Sequence, residues 1–213
     1  MGQAIQSQCK KFSDIQISDF QAKTFDSNSI SVLIDFSSPD GFNDALSFCI
    51  ENKIPFISGT TGLSDKHLEG LSAAKKIIPI LIASNMSIGI ANLKRSIEKH
   101  LISINTSVKC KIVEIHHTKK KDSPSGTAIE IIKFLENYYP NKIDGLIDVQ
   151  SYRIGNIFGI HRIEFKSEEG ITNFQHIATS RDVFAKGALQ AARLINSKKI
   201  GEYSFTDFLD KKL

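Results

Sequence analysis

Hydrophobic residues in the first half of the chain form short runs that alternate with amphipathic stretches. The apolar runs at 30–36, 54–58 and 77–83 have the length of strands and are rich in β-branched residues. Apolar residues at helical spacing follow the first run over 39–52 and the third over 88–102. Strands that alternate with helices across short connections predict right-handed βαβ units on a parallel sheet.

The pattern changes after about residue 107. A strand is predicted over 107–116 and a helix over 126–138. Three further strands are then predicted, at 147–154, 158–166 and 171–178. Strands without a helix after each of them indicate a mixed sheet, which is typical of an α+β domain.

Two domains are therefore expected, with a boundary near residue 88. The first comprises residues 1–88, where 3–12 is predicted to be a short helix. The second comprises residues 89–182. A final helix at about 183–197 begins the segment 183–213, which is expected to pack back on the first domain.

Composition excludes several classes of protein. The 213 residues carry 27 basic and 23 acidic side chains, a net charge of +4, which suits small anionic ligands and is too weak to argue for nucleic acid. Cys9, Cys49 and Cys110 are far apart and form no Cys-x-x-Cys pair, so a disulfide framework or zinc site is not expected, and the default setting is the reduced cytoplasm. The longest apolar run, 77–83, is too short to span a membrane.

Residues 114–128 hold the densest group of chemically active side chains. His116 and His117 end the predicted strand, and His is suited to proton transfer near neutral pH. Three lysines follow, which taken alone could be only a solvated charged run. The turn 123–127 then leads into a helix whose first N–H groups have no partner within the helix, and such an end binds carboxylate or phosphate.

Three predicted strands of the first domain end in polar or glycine-rich loops. These loops are Asp35–Ser38, Gly59–Gly62 and Ala83–Ser87. Ligands bind at the carboxyl ends of parallel strands, so the loops are candidates for a binding site. Each also has an ordinary alternative: the glycines could form only a turn, Asn85 could cap a helix, and Phe36 could belong to the core.

The order and spacing of these motifs resemble the dihydrodipicolinate reductase family. The run Glu114-x-His-His-x-x-Lys-x-Asp-Ser-Pro-Ser-Gly-Thr-Ala is similar to the family's substrate motif, and the three loops resemble its cofactor-facing loops. Arg153-x-Gly, Gly159-x-His, His176 and residues 180–188 resemble its substrate domain. The resemblance covers nearly the whole chain.

The resemblance implies a Rossmann-like α/β domain that binds NADPH or NADH and an α+β domain, with a mixed sheet, that binds substrate and forms a homotetramer. The implied reaction is hydride transfer to a cyclic imine dicarboxylate, with loss of water, in lysine and diaminopimelate synthesis. No metal and no nucleic acid are implied. The implied catalytic residues are His116 and Lys120, and the implied substrate-binding residues are His117, Gly126 and Thr127. The implied nicotinamide-facing residues are Phe36, Gly59, Thr60, Thr61, Ala83, Ser84, Asn85 and Met86.

The chain departs from the family pattern at its beginning. The family's first strand and glycine-rich pyrophosphate loop have no counterpart, and Met1-Gly2 aligns best with the end of that loop. A misassigned start or fragment, a relative that has lost cofactor use, and completion of the sheet by another segment are three open explanations. The chain expressed alone is expected to bind NADPH weakly. No residue before Ser29 distinguishes NADH from NADPH.

Two alternatives to the reductase belong to other functional classes. A non-catalytic binding module would retain the dicarboxylate pocket without using a cofactor, and substrate-dependent oxidation of NAD(P)H would separate it from the enzyme. A nucleic-acid binder built on Lys119–Lys121 would need aromatic residues interleaved with basic patches, and the sequence lacks them.

Overall fold

The computed structural model describes residues 1–22 and 25–209, which form two compact units. Unit 1 comprises Met1–Ser87 together with the chain from Asp182 onward, and unit 2 comprises Ile88–Arg181. The last four residues of the predicted segment 183–213 lie outside the described residues.

The described residues contain six α-helices and eight strands, numbered in chain order. The helices are α1 (Gly2–Cys9), α2 (Pro39–Asn52), α3 (Asp65–Ala74), α4 (Ile88–Ser103), α5 (Gly126–Tyr138) and α6 (Asp182–Ile195). The strands are β1 (Leu33–Asp35), β2 (Phe56–Ser58), β3 (Pro79–Ile82), β4 (Lys109–His116), β5 (Asp148–Arg153), β6 (Gly159–Ser167), β7 (Gly170–Ala178) and β8 (Gly201–Tyr203).

Unit 1 is built on a parallel sheet of four strands in the order β1-β2-β3-β8. The predicted α/β class is confirmed. Helix α2 starts where the sequence indicates, because Pro39 occupies its first turn and the Ser38 hydroxyl accepts a hydrogen bond from the Gly41 N–H at 3.4 Å. Its apolar stripe, including Phe42 and Leu46, is buried in one core cluster with Phe56 of β2.

Strand β8 is absent from the sequence-based prediction. It has only three residues, Gly201–Tyr203, and no apolar alternation that would mark it as a strand. Pairing with β3 creates it, with Gly201 opposite Pro79. The chain before it also belongs to unit 1, since Ala185 and Leu189 of α6 are buried against Ile5 of α1.

Unit 2 contains the mixed sheet that the sequence predicts, in the order β5-β4-β6-β7. Strand β4 is parallel to β5 and antiparallel to β6, and the turn between Ser167 and Gly170 joins β6 to β7. One face of the sheet packs against α4 and α5 through a buried cluster that includes Ile97, Ile112, Ile131 and Ile163. None of the helices in the described residues combines the length and apolar character needed to cross a membrane.

Alanine substitutions at two glycines in the helices of unit 1 should change the free energy of unfolding in opposite directions. A Cβ on Gly187 of α6 would overlap the carbonyl oxygen of Met86, whereas one on Gly70 of α3 would make an ordinary contact with Leu46 Cδ2 at 3.6 Å. Gly187→Ala should therefore lower the free energy of unfolding by about 1–3 kcal/mol. Gly70→Ala should raise it by about 0.5–1 kcal/mol, because alanine favours the helix. Urea unfolding measures both, and a stabilised Gly187→Ala variant would contradict the packing described for α6.

Candidate active site

Glu114 and His116 lie on the same face of β4, near its carboxyl end. Side chains two residues apart share a face of a strand, so this pairing follows from sequence spacing alone. The structure buries both residues, with Glu114 0% and His116 6% exposed. His117 follows the strand and is half-buried, and its Nδ1 has no hydrogen-bond partner in the described part of the chain.

The Glu114 carboxylate accepts hydrogen bonds from three different segments. Oε2 accepts from His116 Nδ1, and Oε1 accepts from Arg153 Nη2 at 2.8 Å and from the Ser125 backbone N–H at 3.2 Å. Burial raises the pKa of Glu114, but hydrogen bonds from Arg153, Ser151 and His116 outweigh it and leave the pKa below its ordinary value. Glu114 is therefore a buried anion held by donors.

His116 packs against a second buried histidine, His161 of β6. Their ring centroids are 5.1 Å apart, and His161 Nε2 lies 3.2 Å from the Ser125 hydroxyl. Burial lowers the pKa of His161 to about 3, so this ring is neutral at physiological pH. Burial also lowers the pKa of His116, although the negative charge of Glu114 opposes it. With Nδ1 bonded to Glu114, His116 turns Nε2 toward Gly159, where an added Cβ would lie 3.0 Å away.

Lys120 is distinguished from its neighbours by its contacts. Its ammonium lies 2.8 Å from Asp122 Oδ2, and its side chain is 24% exposed, whereas Lys119 and Lys121 are exposed. The same Asp122 oxygen accepts from the Gly126 backbone N–H at 3.4 Å. Partial burial raises the pKa of Asp122, but the hydrogen bond and charge of Lys120 outweigh it and lower the pKa.

The first turn of α5 lies on the other side of the cluster formed by Glu114, His116, Lys120 and Asp122. Ser125 caps the helix, its hydroxyl accepting from the Ala128 N–H at 3.2 Å. Gly126 and Thr127 are its first two residues, and Thr127 is buried. The structure thus brings His116, Lys120, Gly126 and Thr127 into one unit, at the end of β4 and the start of α5.

Several residues that build this cluster have no role assigned from the sequence. Arg153 binds Glu114 from 39 positions away and also donates to the Asp122 carbonyl. His161 reaches Ser125 from 36 positions away. Both follow from the pairing of β5 and β6 with β4, which no local pattern specifies. Asp122 and Ser125 lie inside the motif and could be noted from it, but their partners could not.

The carboxyl ends of β1, β2 and β3 form a second polar cluster, in unit 1. Asp35 is buried and accepts hydrogen bonds from the hydroxyls of Ser58 and Thr60, both at 2.7 Å, and from the Ser37 N–H at 2.9 Å. The Thr60 hydroxyl, predicted to face a cofactor, is therefore bonded to Asp35. The Phe36 ring covers Gly59 so closely that a Cβ on Gly59 would overlap it.

The remaining predicted cofactor residues lie on two of the same strand ends. Thr61 is exposed beyond β2, and Ser84 is exposed beyond β3 next to half-buried Ala83. Asn85 is buried and accepts from the Ser87 N–H at 2.7 Å, and Met86 is buried. These loops share the carboxyl edge of a parallel sheet, where nucleotides bind, and the Phe36 ring that lies against Gly59 offers an aromatic surface there, so the residues fit the nicotinamide end of a dinucleotide.

Glu114, His116 and His161 also have the composition of a metal site. Their donor atoms lie within 4.8 Å of one another. However, Arg153 bonds to one Glu114 oxygen and the His116 N–H to the other, and a guanidinium beside the cluster disfavours a cation. The arrangement suits a proton better than a metal ion.

Comparison with known proteins agrees with this geometry. Residues 1–86 match the family model described as dihydrodipicolinate reductase, N-terminus, and residues 89–209 match the C-terminus model. A protein of Bdellovibrio bacteriovorus named 4-hydroxy-tetrahydrodipicolinate reductase is 40% identical over 180 residues, which are 84% of this chain and 76% of that protein. One of the same name from Rickettsia canadensis is 35% identical over 228 residues, covering 97% and 93%.

A solved structure has the same fold. It is the dipicolinate-bound dihydrodipicolinate reductase from Paenisporosarcina sp. TG-14, with a TM-score of 0.70 and 18% identity over 95% of this chain and 92% of that one. The two family models together cover almost the whole sequence, and the chain belongs to the dihydrodipicolinate reductase family.

Proposed function

We propose that this chain reduces 4-hydroxy-tetrahydrodipicolinate to tetrahydrodipicolinate with NADPH or NADH, in the synthesis of diaminopimelate and lysine. The substrate, a hydride and a proton give tetrahydrodipicolinate and water, and the cofactor leaves oxidised. Family membership and the names of the relatives support the reaction. The dicarboxylate bound to the structural neighbour supports the class of ligand.

One observation in unit 2 carries the proposal. A carboxylate, that of Asp122, lies between the Lys120 ammonium and the Gly126 N–H at the start of α5. This position therefore offers a cation and helix N–H groups to an anion, as a substrate carboxylate requires. We infer that one carboxylate of the substrate takes the place of the Asp122 carboxylate here and binds Gly126 and Thr127, and that His117 contacts the same ligand.

Lys120 and His116 have different roles in proton transfer. Lys120 donates the proton to the centre next to the one that receives the hydride. His116 is neutral because burial lowers its pKa, so its Nε2 offers a lone pair that orients the substrate or accepts a proton. The neutral His161 ring behind it adds no competing charge.

The loops of unit 1 hold the cofactor. A bound nicotinamide supplies the hydride. Phe36 and Gly59 form a flat wall, and Asp35 keeps the loop after β2 in place through Thr60. Thr61 and the backbone of Ala83–Met86 provide the remaining edge. Units 1 and 2 are accordingly the cofactor domain and the substrate domain.

The outer face of the unit 2 sheet is proposed to contact further copies of the chain in a homotetramer. An apolar row crosses all four strands there, since Ile115 pairs with Tyr152 and Ile160, and Ile160 pairs with Ile177. The two ends of the row, Tyr152 and Ile177, are 45% and 51% exposed. Apolar surface of this kind marks association sites.

Substrate-dependent oxidation of NADPH and NADH by the purified chain tests the reaction. Lys120→Met should lower kcat by about 10²–10⁴-fold, because the proton donor is lost, and should leave the dissociation constant of the cofactor unchanged. Loss of NAD(P)H absorbance measures turnover, and calorimetry measures cofactor binding.

Lys119→Met is the matched control for Lys120, because it removes the same charge from an exposed neighbour and should retain wild-type turnover. Binding of the dicarboxylate without any oxidation of NADPH or NADH would favour the non-catalytic binding module. Full activity of Lys120→Met would remove Lys120 from the mechanism.

Thr127 tests the proposed carboxylate position. Thr127→Val keeps the shape of the buried side chain but loses the hydroxyl, so the dissociation constant of dipicolinate should rise about tenfold, the value of one hydrogen bond to a charged group. Thr127→Ser retains the hydroxyl and should bind within about threefold of wild type. Equal affinity of the valine and serine variants would show that the carboxylate lies elsewhere.

A further inference from the structure

We propose that Glu114 is the positioning residue of the reaction. Its carboxylate fixes the orientation and tautomer of His116. Through Arg153 and Ser125 it also holds the start of α5 and the loop 117–125, called the Lys120 loop. This assignment rests on the proposed function for the roles of His116 and Lys120. The geometry of Glu114 itself does not depend on the reaction.

The two oxygens of Glu114 have different tasks. Oε2 faces His116 Nδ1, so the imidazole donates there and carries a bare lone pair on Nε2. Oε1 accepts from Arg153 and from the Ser125 N–H, which connects it to β5 and to the cap of α5. A neutral imidazole has one N–H. The hydrogen-bond partner of one ring nitrogen therefore decides whether the other nitrogen carries the proton.

Arg153 extends this control to the Lys120 loop. The same Nη2 that donates to Glu114 also donates to the backbone carbonyl of Asp122. Asp122 in turn pairs with Lys120 and contacts Gly126. Three hydrogen bonds, through Arg153 and Asp122, thus connect the Glu114 carboxylate to the proton donor and to Gly126.

The charged groups around His116 determine whether its pKa rises or falls when one of them is removed. Glu114 faces it from β4 and favours the protonated ring, whereas Arg153 of β5 and Lys120 of the following loop disfavour it. His161 of β6 faces it with a neutral ring, and His176 of β7 faces His161 from the other side. Glu114 is the only anion among these described neighbours, so removing its charge lowers the pKa of His116.

Glu114→Gln separates the two tasks of the carboxylate. Gln Oε1 can still accept from Arg153 and Ser125, while the amide NH₂ takes the place of Oε2 and presents a donor to His116 Nδ1. The imidazole must then protonate Nε2 instead. We expect kcat to fall on the order of a hundredfold with KM changed less than about threefold. The pKa of His116, read from its imidazole C–H signal by NMR, should fall by about one unit.

The control is Glu169→Gln. Glu169 is exposed in the turn that joins β6 to β7, so the substitution removes one negative charge from the same unit. It should leave kcat, KM and the His116 pKa at wild-type values. An unchanged His116 pKa in Glu114→Gln, or an equal loss of kcat in Glu169→Gln, would overturn the proposal.

Glu114→Asp keeps the test decisive if the glutamine variant does not fold. It retains the negative charge on a shorter side chain, so the His116 pKa should stay closer to wild type than in Glu114→Gln while kcat falls because the imidazole is misplaced. Wild-type kcat in Glu114→Asp would overturn the proposal. If the wild-type chain oxidises no cofactor with substrate, the proposed reaction fails, and the NMR titration still decides whether Glu114 controls His116.

Discussion

A fully buried carboxylate is the constraint on which the active-site geometry depends. An anion removed from water is costly unless donors surround it, and deleting one partner of such a group typically costs about 3–5 kcal/mol. Glu114 is 0% exposed and is held by His116, Arg153 and Ser125. Each donor comes from a different part of unit 2, so the need to pair one charge fixes the end of β4, the end of β5 and the start of α5 together.

Unit 1 likewise contains a buried carboxyl group that is surrounded by hydrogen-bond donors. Asp35 is buried at the end of β1 and accepts hydrogen bonds from Ser58, Thr60 and Ser37. These bonds shape the loops proposed to face the nicotinamide. In both units, a buried acid at the carboxyl end of a strand organises a loop of the proposed site, and the groups proposed to face ligands are backbone N–H groups and neighbouring side chains rather than the acid.

Local patterns predicted much of the fold. Helix α5 has the predicted bounds, 126–138, because a serine cap and a strong apolar stripe define it. Strand β8 was missed because three residues are too few to show a period and pairing with β3 creates the strand. The alternation of side chains along β4 accounts for Glu114 and His116 sharing one face. The resemblance named Arg153 and His161, but their contacts with Glu114 and Ser125 could not be predicted, because these depend on the order of strands in the sheet.

The tautomer of His116 in the wild-type chain tests the role of Glu114 most directly. Long-range ¹H–¹⁵N NMR of ¹⁵N-histidine-labelled protein at neutral pH distinguishes a protonated from a bare ring nitrogen. The hydrogen bond to Glu114 predicts that His116 carries its proton on Nδ1 and a lone pair on Nε2. A proton on Nε2 with a bare Nδ1 would contradict the account.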